Sequence, residues 1–538
     1  MRRISADFFI FFLYDFICEH PPQSAIRLIP RSIAFDFILF ENRLLRYRGI
    51  KTLKNNKLEH MKTKTPRAPS RKLVETAVAD KPFVPLTRKN VLELRISSLD
   101  EDGYGTARNE DGMTLRVGGA LPGDVVLAGI DHVAGGTAFC HVKKLLQPSQ
   151  LRSSNPPCRE SADCFGCPLI AMKYSEQKNW KRGMILAEMA KYPALSGILV
   201  HPLLSPDNLI HYRTTAKLTV AGKFSEPFIG IYRRSSHDVY DLEQCPIHHP
   251  LIDKVVEAVR KGIKKGKVQV YNPQSKMGLL RYLVVRVSTH EKKAMVVFVT
   301  SKRSFNEIHH LWRFVQDMVP EVEIVVQNVN ATEGNVIMGQ KDYFLTKKLY
   351  LTERIGDVAF RISPRSFFQV NNSGANLIYS KVREWSGLTG SETVLDLYCG
   401  IGGISLFLAG SAKNVIGVEV VEEAVTDATM NARINGIKNC QFEAGDVADL
   451  LDEMTGDQLP VDVAVLNPPR KGCDQNVLER VAALGPKSIL YVSCSPQSLA
   501  RDLDILNKLG YVCSEIQPVD MFPQTVHVEN VARLERIR

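Results

Sequence analysis

The sequence predicts a multidomain α/β protein with a small β-barrel, a central α+β domain and a doubly wound C-terminal domain. At 538 residues the chain is too long for one hydrophobic core, so two to four domains are expected. Short strand patterns with glycine-rich turns fill residues 83–148, and strand and helix patterns alternate from residue 361 onward. We therefore predict the barrel at 83–148, the central domain at 149–360 and the doubly wound domain at 361–538.

Residues 1–82 are predicted to form a poorly ordered, basic N-terminal extension. The net charge of +11 comes mainly from Lys and Arg between positions 41 and 72, so the rest of the chain is close to neutral. The apolar run at positions 8–17 is interrupted by Asp15 and is shorter than the roughly 20 residues of a membrane-spanning helix. No small-residue cleavage site follows it, which argues against a signal peptide. We expect translation to begin at Met61, and we predict no membrane association.

The predicted barrel has five short strands separated by glycine-rich turns such as Gly118-Gly119 and Pro122-Gly123. This pattern fits a small barrel of the oligonucleotide-binding (OB-like) kind. A β-barrel without that role fits the pattern equally well.

Four cysteines in the central domain have the spacing of metal ligands. Three of them form a C-x5-C-x2-C pattern, and Pro follows two of the four, as it does in iron–sulfur sites. Zinc is the alternative, with His248 or His249 as substitute ligands. The chain has eleven cysteines and no predicted secretory signal, which indicates a reducing compartment, the cytoplasm. The four candidate ligands are Cys158, Cys164, Cys167 and Cys245.

The central domain otherwise alternates β-type runs with amphipathic helices and carries no recognisable acid/base pair, so it is interpreted as a platform. In the C-terminal domain each of four strand patterns is followed by a helical one, which indicates a mostly parallel sheet. The last two strands, Tyr511–Gln517 and Val526–Arg536, are predicted to close the sheet as an antiparallel edge. The four strand patterns are Thr393–Leu397, Val415–Glu419, Val463–Leu466 and Ser488–Val492.

A glycine turn after the first of these strands indicates a nucleoside cofactor. Gly400 and Gly403 let the backbone approach a ligand, and Glu419, at the end of the next strand, can accept hydrogen bonds from ribose hydroxyls. Ser405 replaces the third glycine of the dinucleotide fingerprint, which favours S-adenosylmethionine over NAD. Polar residues also end the next two strand units, and we expect Asp446 near the adenine.

The fourth strand pattern ends at a cysteine, in Tyr491-Val-Ser-Cys494-Ser-Pro496. This places the Cys494 thiol at the carboxyl end of the sheet, where open α/β folds carry their chemistry. A buried cysteine more often serves only for packing, so its assignment depends on the other motifs.

Taken together, the motifs resemble those of the RNA uracil-5 methyltransferases. They are DLYCGIGG, NPPRKG, YVSCSP, HVENV, SFFQVN and the cysteine pattern, and they cover roughly residues 83–538. The domain order is similar to that of the 23S ribosomal RNA branch, which begins with a TRAM barrel, whereas the tRNA branch is usually shorter. The resemblance implies S-adenosylmethionine-dependent methylation of uridine C5 in 23S rRNA. A tRNA uracil-5 methyltransferase and an inactive, RNA-binding ribosome-assembly factor are the alternatives.

The resemblance also implies roles for individual residues. Cys494 would be the nucleophile that attacks uracil C6, and Glu529 the general base. Asn467 replaces an aspartate that is common in the family. Cys158, Cys164, Cys167 and Cys245 would ligate a [4Fe–4S] cluster. The implied cofactor contacts are Gln369, Tyr398, Gly400, Gly403, Glu419, Asp446 and Asn467.

Three further hypotheses concern residues near these motifs. Arg470 and Lys471 could supply positive potential that favours the Cys494 thiolate, and His527 could assist the base. Phe367 and Phe368 could stack on the substrate base, although paired aromatics before a helix more often belong to the core.

Overall fold

The computed structural model describes residues 87, 90–158, 161–233, 236–334, 336–456 and 459–537. These residues belong to one compact unit, Phe83–Arg538. The predicted basic extension, residues 1–82, and the proposed start at Met61 lie outside the described residues.

The N-terminal part forms a six-stranded sheet, one strand more than predicted, because a two-residue strand was too short to give a sequence pattern. Alternate residues such as Leu115, Val117 and Cys140 are buried and form its core. The strands are β1 (Val91–Arg95), β2 (Ser98–Leu99), β3 (Gly105–Arg108), β4 (Thr114–Gly118), β5 (Val125–Ala134) and β6 (Thr137–Gln147). Their order across the sheet is β1-β5-β6-β4-β3-β2.

The cysteine-bearing segment follows. It contains the short helix α1 (Ser161–Cys164), the longer helix α2 (Tyr174–Met189) and the two-residue strand β7 (Leu199–Val200). One side of α2 is buried, including Gln177, Lys181 and Ile185.

The central sheet has seven strands, with two helices on one face. Apolar residues of the helices, such as Val259 and Leu311, pack against Val285 and Val296 of the sheet. In chain order the elements are β8 (Thr215–Lys223), β9 (Glu226–Tyr232), β10 (Val239–Asp241), α3 (Pro250–Gly266), β11 (Leu280–Ser288), β12 (Lys293–Thr300), α4 (Asn306–Met318), β13 (Val322–Val329) and β14 (Lys341–Phe344). The sheet order is β10-β9-β8-β11-β12-β13-β14.

A hairpin of β15 (Leu351–Ile355) and β16 (Val358–Ile362) leads to helix α5 (Asn372–Ser386). The Asn371 side chain caps α5 by accepting a hydrogen bond from the Gly374 amide at 3.1 Å. The sequence pattern predicts Leu377, Ile378, Val382 and Trp385 on one apolar side of α5, and this side packs in the C-terminal core.

The C-terminal domain is an α/β sheet with alternating strands and helices. Its elements are β17 (Thr393–Leu397), α6 (Gly403–Ala409), β18 (Asn414–Glu419), α7 (Glu422–Ile434), β19 (Cys440–Ala444), α8 (Val447–Gly456), β20 (Val463–Leu466), α9 (Gln475–Leu484), β21 (Ser488–Ser493), α10 (Pro496–Lys508), β22 (Tyr511–Val519) and β23 (Glu529–Arg536). Among the described residues, no helix combines the length and the apolar character that a membrane span requires.

The eight-stranded sheet has the order β19-β18-β17-β20-β21-β23-β22-β7. β23 is antiparallel to both of its neighbours, whereas the other neighbouring strands are parallel. The predicted antiparallel pairing of the last two strands is confirmed. Their predicted position at the edge is wrong, because β23 lies inside the sheet and β7 forms the edge beside β22. Two residues are too few to show a strand pattern, so β7 was not predicted.

A buried ion pair also joins the cysteine-bearing segment to this sheet. Lys181 Nζ lies 2.6 Å from Asp520 Oδ1, and both side chains are fully buried. The Tyr174 hydroxyl donates a second hydrogen bond to Asp520 at 2.9 Å. Breaking such a pair would leave an uncompensated buried charge, so it firmly links α2 to the end of β22.

Candidate active site

A cleft of about 1220 Å³ opens at the carboxyl ends of β17, β18, β20 and β21. Open α/β sheets bind their ligands at this edge. The cleft brings together most of the residues singled out in the sequence. These are Gln369, Tyr398, Gly400, Gly403, Glu419, Asn467, Cys494 and Glu529.

The glycine turn after β17 has the backbone conformations that its sequence requires. Gly400 and Gly402 adopt φ values of 56° and 81°, in the left-handed region that glycine tolerates best. Tyr398 also has a positive φ of 62°, which is unusual for an aromatic residue. The Glu419 carboxylate accepts hydrogen bonds from the Gly400 amide at 3.1 Å and the Val421 amide at 3.0 Å. Glu419 therefore fixes the turn while it faces the cleft.

Asp396 lies under this turn and is completely buried. The Ser405 hydroxyl donates to its Oδ2 at 2.5 Å, so the residue that replaces the third glycine has a hydrogen-bonding role. Burial raises the pKa of Asp396 to about 7, although the Ser405 bonds lower it. Its other oxygen, Oδ1, has no hydrogen-bond partner within the described part of the chain.

Gly403 faces the hydroxyl of Tyr379, a buried residue of α5 that also lines the cleft. A Cβ atom at Gly403 would lie 2.6 Å from this hydroxyl. The hydroxyl also hydrogen bonds to the Gln369 side chain. The absence of a side chain at position 403 therefore leaves room for the Tyr379–Gln369 pair.

Asp446 does not line the cleft. It is exposed, and its Oδ1 accepts a hydrogen bond from the Ala448 amide at 2.8 Å at the start of α8. It is nevertheless close enough to Tyr398 for its charge to raise the pKa of that phenol, where burial is the larger cause. Its predicted contact with the adenine stays a prediction.

Cys494 and Glu529 lie side by side because of the antiparallel pairing of β21 and β23. Ser493 pairs with Asn530 in this register, so Cys494 follows the last paired residue of one strand and Glu529 precedes it in the other. Ser495 then caps α10, and its hydroxyl accepts a hydrogen bond from the Ser498 amide at 3.3 Å. The thiol and the carboxyl group thus face the same end of the cleft.

Arg470 provides the positive charge next to this pair. Burial and the Glu529 charge raise the pKa of the Cys494 thiol, and Arg470 lowers it through its charge and a hydrogen bond. Burial raises the pKa of Glu529 to about 8, against a smaller lowering by Arg470. The Arg470 guanidinium also lies 3.4 Å from His527 Nε2. Lys471 instead pairs with Asp474 at 3.2 Å.

The two neighbouring phenylalanines have different environments. Phe368 is 8% exposed and packs against Phe360 in the core, with ring centroids 5.6 Å apart. Phe367 lines the cleft and is 72% exposed. The buried Arg286 of β11 donates to the Ser366 carbonyl at 2.7 Å and so ties this segment to the central sheet. The core interpretation thus fits Phe368, whereas Phe367 is open to a ligand.

The four cysteines form a second site, here called the cysteine site. The charges of Cys158, Cys164 and Cys245 all act on Cys167, whose pKa is raised mainly by burial. Burial would also raise the pKa of Cys245, but hydrogen bonds from His248 and from nearby backbone amides lower it overall. The four thiols are thus electrostatic neighbours. Among the described residues, however, no three His, Cys, Asp or Glu side chains lie close enough together to hold a single metal ion.

The two histidines considered as zinc ligands have other partners. His248 Nδ1 lies 3.1 Å from Asp253 Oδ1, and its ring also hydrogen bonds to Cys245. His249 Nδ1 accepts a hydrogen bond from the Leu251 amide at 3.2 Å and caps α3. His248 thus hydrogen bonds to Cys245, and His249 stabilises the start of α3.

Several cleft residues were not assigned from the sequence. Asp396 had a detectable signal, because an acid inside an apolar strand pattern is unusual. Tyr379 lies on the same helix as the predicted apolar stripe and gave no separate signal. Asp342 and Phe344 lie in β14 of the central sheet and Gln340 directly precedes it, and only the tertiary fold brings these residues to the cleft.

A mainly parallel α/β sheet with a glycine turn and an acidic strand end at its carboxyl edge defines a class of enzymes that bind nucleoside cofactors. The sequence profile described as tRNA (Uracil-5-)-methyltransferase matches residues 173–537. Two similar proteins are both named uncharacterized RNA methyltransferase. The one from Geobacter sulfurreducens is 56% identical over 447 residues, 83% of this chain and 90% of that protein. The one from Halalkalibacterium halodurans is 38% identical over 451 residues, 84% and 98% of the two chains.

A solved structure has the same fold over most of the chain. It is the Pyrococcus abyssi tRNA (uracil-54, C5)-methyltransferase in complex with S-adenosyl-L-homocysteine. It matches with a TM-score of 0.67 and 26% identity, and it covers 82% of this chain and 100% of its own. The chain belongs to the tRNA (uracil-5-)-methyltransferase family. It is an S-adenosylmethionine-dependent RNA methyltransferase.

The contact between Gly403 and Tyr379 predicts that Gly403→Ala weakens cofactor binding. The new methyl group would push the Tyr379 hydroxyl away from Gln369 and disturb the cleft wall. We expect at least a tenfold higher dissociation constant for S-adenosylhomocysteine, measured by calorimetry. Gly410→Ala is the matched control, because Gly410 follows the other end of α6 at φ −67° and a Cβ there would meet no atom within 4 Å. Equal affinities for the two variants would contradict the prediction.

Proposed function

We propose that the enzyme methylates C5 of a uridine in RNA through a covalent bond between Cys494 and uracil C6. One observation carries the proposal. Cys494 and Glu529 are adjacent at the end of the cleft that also holds the glycine turn, and Arg470 lies beside both.

Uracil C5 is a poor nucleophile, and addition of a thiolate to C6 solves this problem. The Cys494 sulfur forms a bond to C6, and the electron pair of the C5–C6 double bond moves toward C5 and the adjacent carbonyl. C5 then carries enolate character and would bond to the methyl carbon of the cofactor, while the bond from that carbon to the sulfonium sulfur breaks and S-adenosylhomocysteine is the leaving group. Arg470 favours the thiolate that starts this sequence, because its positive charge lowers the pKa of the Cys494 thiol.

Glu529 completes the reaction by removing the proton from C5. Its carboxylate takes the proton, the electron pair restores the C5–C6 double bond, and the bond from C6 to the Cys494 sulfur breaks. A carboxyl group with a pKa of about 8 is a strong base for its type once ionised. Burial thus suits Glu529 to this step.

Bound S-adenosylmethionine supplies an electrophilic methyl group. Residues at the turn have the right character to hold it. Glu419 suits the ribose hydroxyls, and the unpartnered Oδ1 of Asp396 could accept a hydrogen bond from a cationic amino group. Gln369, Tyr398 and Asn467 line the same cleft.

The substrate base must leave its stack to reach Cys494. Phe367 offers an exposed aromatic face at the cleft, and stacking on such a ring typically contributes about 1–3 kcal/mol per base. We assign Phe367, and not the buried Phe368, as the stacking partner.

Removal of the nucleophile or of the base should stop the reaction at different points. Cys494→Ala should bind S-adenosylhomocysteine normally and transfer no methyl group. Glu529→Gln should transfer the methyl group but accumulate a covalent protein–RNA adduct, because the C5 proton cannot leave. Denaturing gels with bulk RNA from cells that lack this protein would show the adduct. RNA containing 5-fluorouridine should trap the wild type, since fluorine cannot leave as a proton.

Matched controls lie at the opposite edge of the same sheet, in β22 and β23. Cys513→Ala removes another buried thiol, and Glu535→Gln neutralises a carboxylate at the far end of β23, so both should behave like the wild type.

In the wild type, adduct breakdown should accelerate as pH rises through about 8, because Glu529 is then deprotonated. Methyl transfer by Cys494→Ala would refute the role of Cys494. A pH-independent breakdown would refute that of Glu529.

We further propose that the cysteine site holds a [4Fe–4S] cluster. In such a cluster each of the four thiolates would bind one iron. The charges of Cys158, Cys164 and Cys245 all act on Cys167, so the four cysteines are neighbours in the structure. The buried setting of Cys167 and the hydrogen bonds to Cys245 also suit a cluster that needs thiolates and protection from water.

Protein purified without oxygen should therefore contain iron and acid-labile sulfide in equal amounts. Cys245→Ala should lose both, whereas Cys140→Ala, which removes a buried thiol from the N-terminal sheet, should retain them. Zinc in place of iron, without sulfide, would overturn the cluster.

For the substrate we propose 23S ribosomal RNA, on the basis of the motif and domain resemblance. Transfer RNA is the second candidate, and the Pyrococcus abyssi structure favours it. The match to that tRNA-modifying enzyme covers 82% of this chain, more than residues 173–538 contain, so it extends toward the N-terminal sheet. The overall architecture therefore does not separate the two substrates.

Mapping of 5-methyluridine in cells that lack this protein should decide between the two RNAs. We expect one site in 23S rRNA to lose its methyl group and transfer RNA to remain unchanged. The control is the same strain complemented with Cys494→Ala, which should not restore the mark. Loss from transfer RNA would select the second candidate, and restoration by the alanine variant would indicate a non-catalytic assembly role.

A further inference from the structure

The loop between β22 and β23, residues 520–528, connects the two sites. On one side it faces the cleft, where Phe522 lines the wall and His527 lies near Arg470. Glu529 follows the loop directly as the first residue of β23. The position of the Glu529 carboxyl therefore depends on how this loop is held.

The other side of the 520–528 loop is held by residues next to the cysteine site. The Leu169 amide, two positions after Cys167, donates to the Gln524 carbonyl at 3.0 Å. The Gln177 side chain joins the same two residues. Its Nε2 lies 3.0 Å from the Leu169 carbonyl and 2.8 Å from Gln524 Oε1, and its Oε1 accepts a hydrogen bond from the Gln524 amide at 3.1 Å. Gln177 is 1% exposed, so water cannot easily replace these bonds.

Tyr212 makes a second link between the region of the cysteine site and the 520–528 loop. Its hydroxyl donates to the Pro523 carbonyl at 3.0 Å, and the side chain is buried. The neighbouring backbone is hydrogen bonded to the segment that follows Cys245, since the amides of His211 and Arg213 donate to the carbonyls of residues 246 and 247. Tyr212 thus bridges the Cys245 segment and the 520–528 loop.

The backbone conformation of Gln524 is unfavourable, so contacts of the 520–528 loop must stabilise it. Its φ of 73° lies in the left-handed region, which costs about 1 kcal/mol or more for a residue with a side chain. It is nevertheless 5% exposed and bonded through its backbone amide, its backbone carbonyl and its side chain. The surrounding contacts therefore impose this conformation.

We propose that Tyr212 and Gln177 are positioning residues for Glu529, and that through them the cysteine site sets the position of the catalytic base. This inference rests on the proposed function of Glu529. Proton transfer needs the carboxylate within hydrogen-bond distance of the C5 proton. A displacement of about 1 Å can slow such a step by about 100-fold. Loosening of the loop should therefore slow adduct breakdown, while adduct formation and cofactor binding, which do not use Glu529 as a base, stay unchanged.

Tyr212→Phe tests the proposal with the smallest change, because it removes only the hydroxyl that holds Pro523. Tyr511→Phe is the matched control. The Tyr511 hydroxyl is also buried and donates to a proline carbonyl, that of Pro486 at 2.9 Å, but Tyr511 begins β22 at the sheet edge opposite the cleft. Both variants lose one buried hydrogen bond and should lose similar thermal stability.

The measurements are single-turnover kinetics on bulk RNA from cells that lack this protein, with adduct formation followed on RNA containing 5-fluorouridine. We expect Tyr212→Phe to break down the adduct about fivefold more slowly than Tyr511→Phe and to form it at the same rate. Equal breakdown rates in the two variants would overturn the proposal. So would a parallel loss of formation and breakdown, which would indicate general destabilisation.

Gln177→Met provides a second, stronger variant of nearly equal size. It should slow breakdown about tenfold or more and speed hydrogen exchange in residues 520–528. If it does not fold, Tyr212→Phe alone decides. Failure of this inference differs from failure of the proposed function, because in the latter case either wild-type protein forms no adduct with 5-fluorouridine RNA or Glu529→Gln accumulates no adduct with unmodified RNA.

Discussion

The reversed direction of one strand, β23, organises the active site. Parallel strands bring their carboxyl ends to the same edge of a sheet. Cys494 and the glycine turn both follow parallel strands, so they lie at the same edge. An antiparallel strand brings its amino end to that edge instead. Because β23 is inserted between β21 and β22, its first residue, Glu529, arrives beside Cys494. The two groups are almost adjacent in space although the whole of α10 and β22 separates them in the chain.

This topology also explains what the sequence could and could not reveal. Apolar runs and turn residues located β17, β18, β20 and β21 to within about one residue, because these strands are largely buried. The observed bounds of β22 and β23 differ from the predicted ones by two or three residues, and the partly exposed β19 and the short β7 were not predicted. The motifs drew attention to Cys494 and Glu529, but their adjacency depends on strand order, which periodicity does not encode. Tyr379 and the residues of β14 reach the cleft only through tertiary packing. Phe367 and Phe368 have the same chemistry, and only the fold determines which one is exposed.

The charges in the cleft favour a particular sequence of events. A negative Glu529 would oppose thiolate formation at Cys494, as its effect on the pKa of that thiol shows. Burial keeps the Glu529 carboxyl largely neutral at neutral pH, which lessens this opposition when the nucleophile forms. In the proposed mechanism, bonding of Cys494 to the substrate base removes the charge of the thiolate, so that Glu529 can then ionise more easily. Burial of the Glu529 carboxyl would thus separate the two proposed steps in time.

The short edge strand β7 has a consequence for the order of folding. It adds the last strand to a sheet whose other members begin between 193 and 329 residues after Val200. During synthesis, β7 and α2 leave the ribosome long before β22 has been made. The pairing of β7 with β22 and the ion pair between Lys181 and Asp520 can form only afterwards. The contacts of the cysteine-bearing segment with β22 and Asp520 therefore form only after residues 511–520 have been made. Folding of this earlier segment is thus completed by a part of the chain that is translated much later.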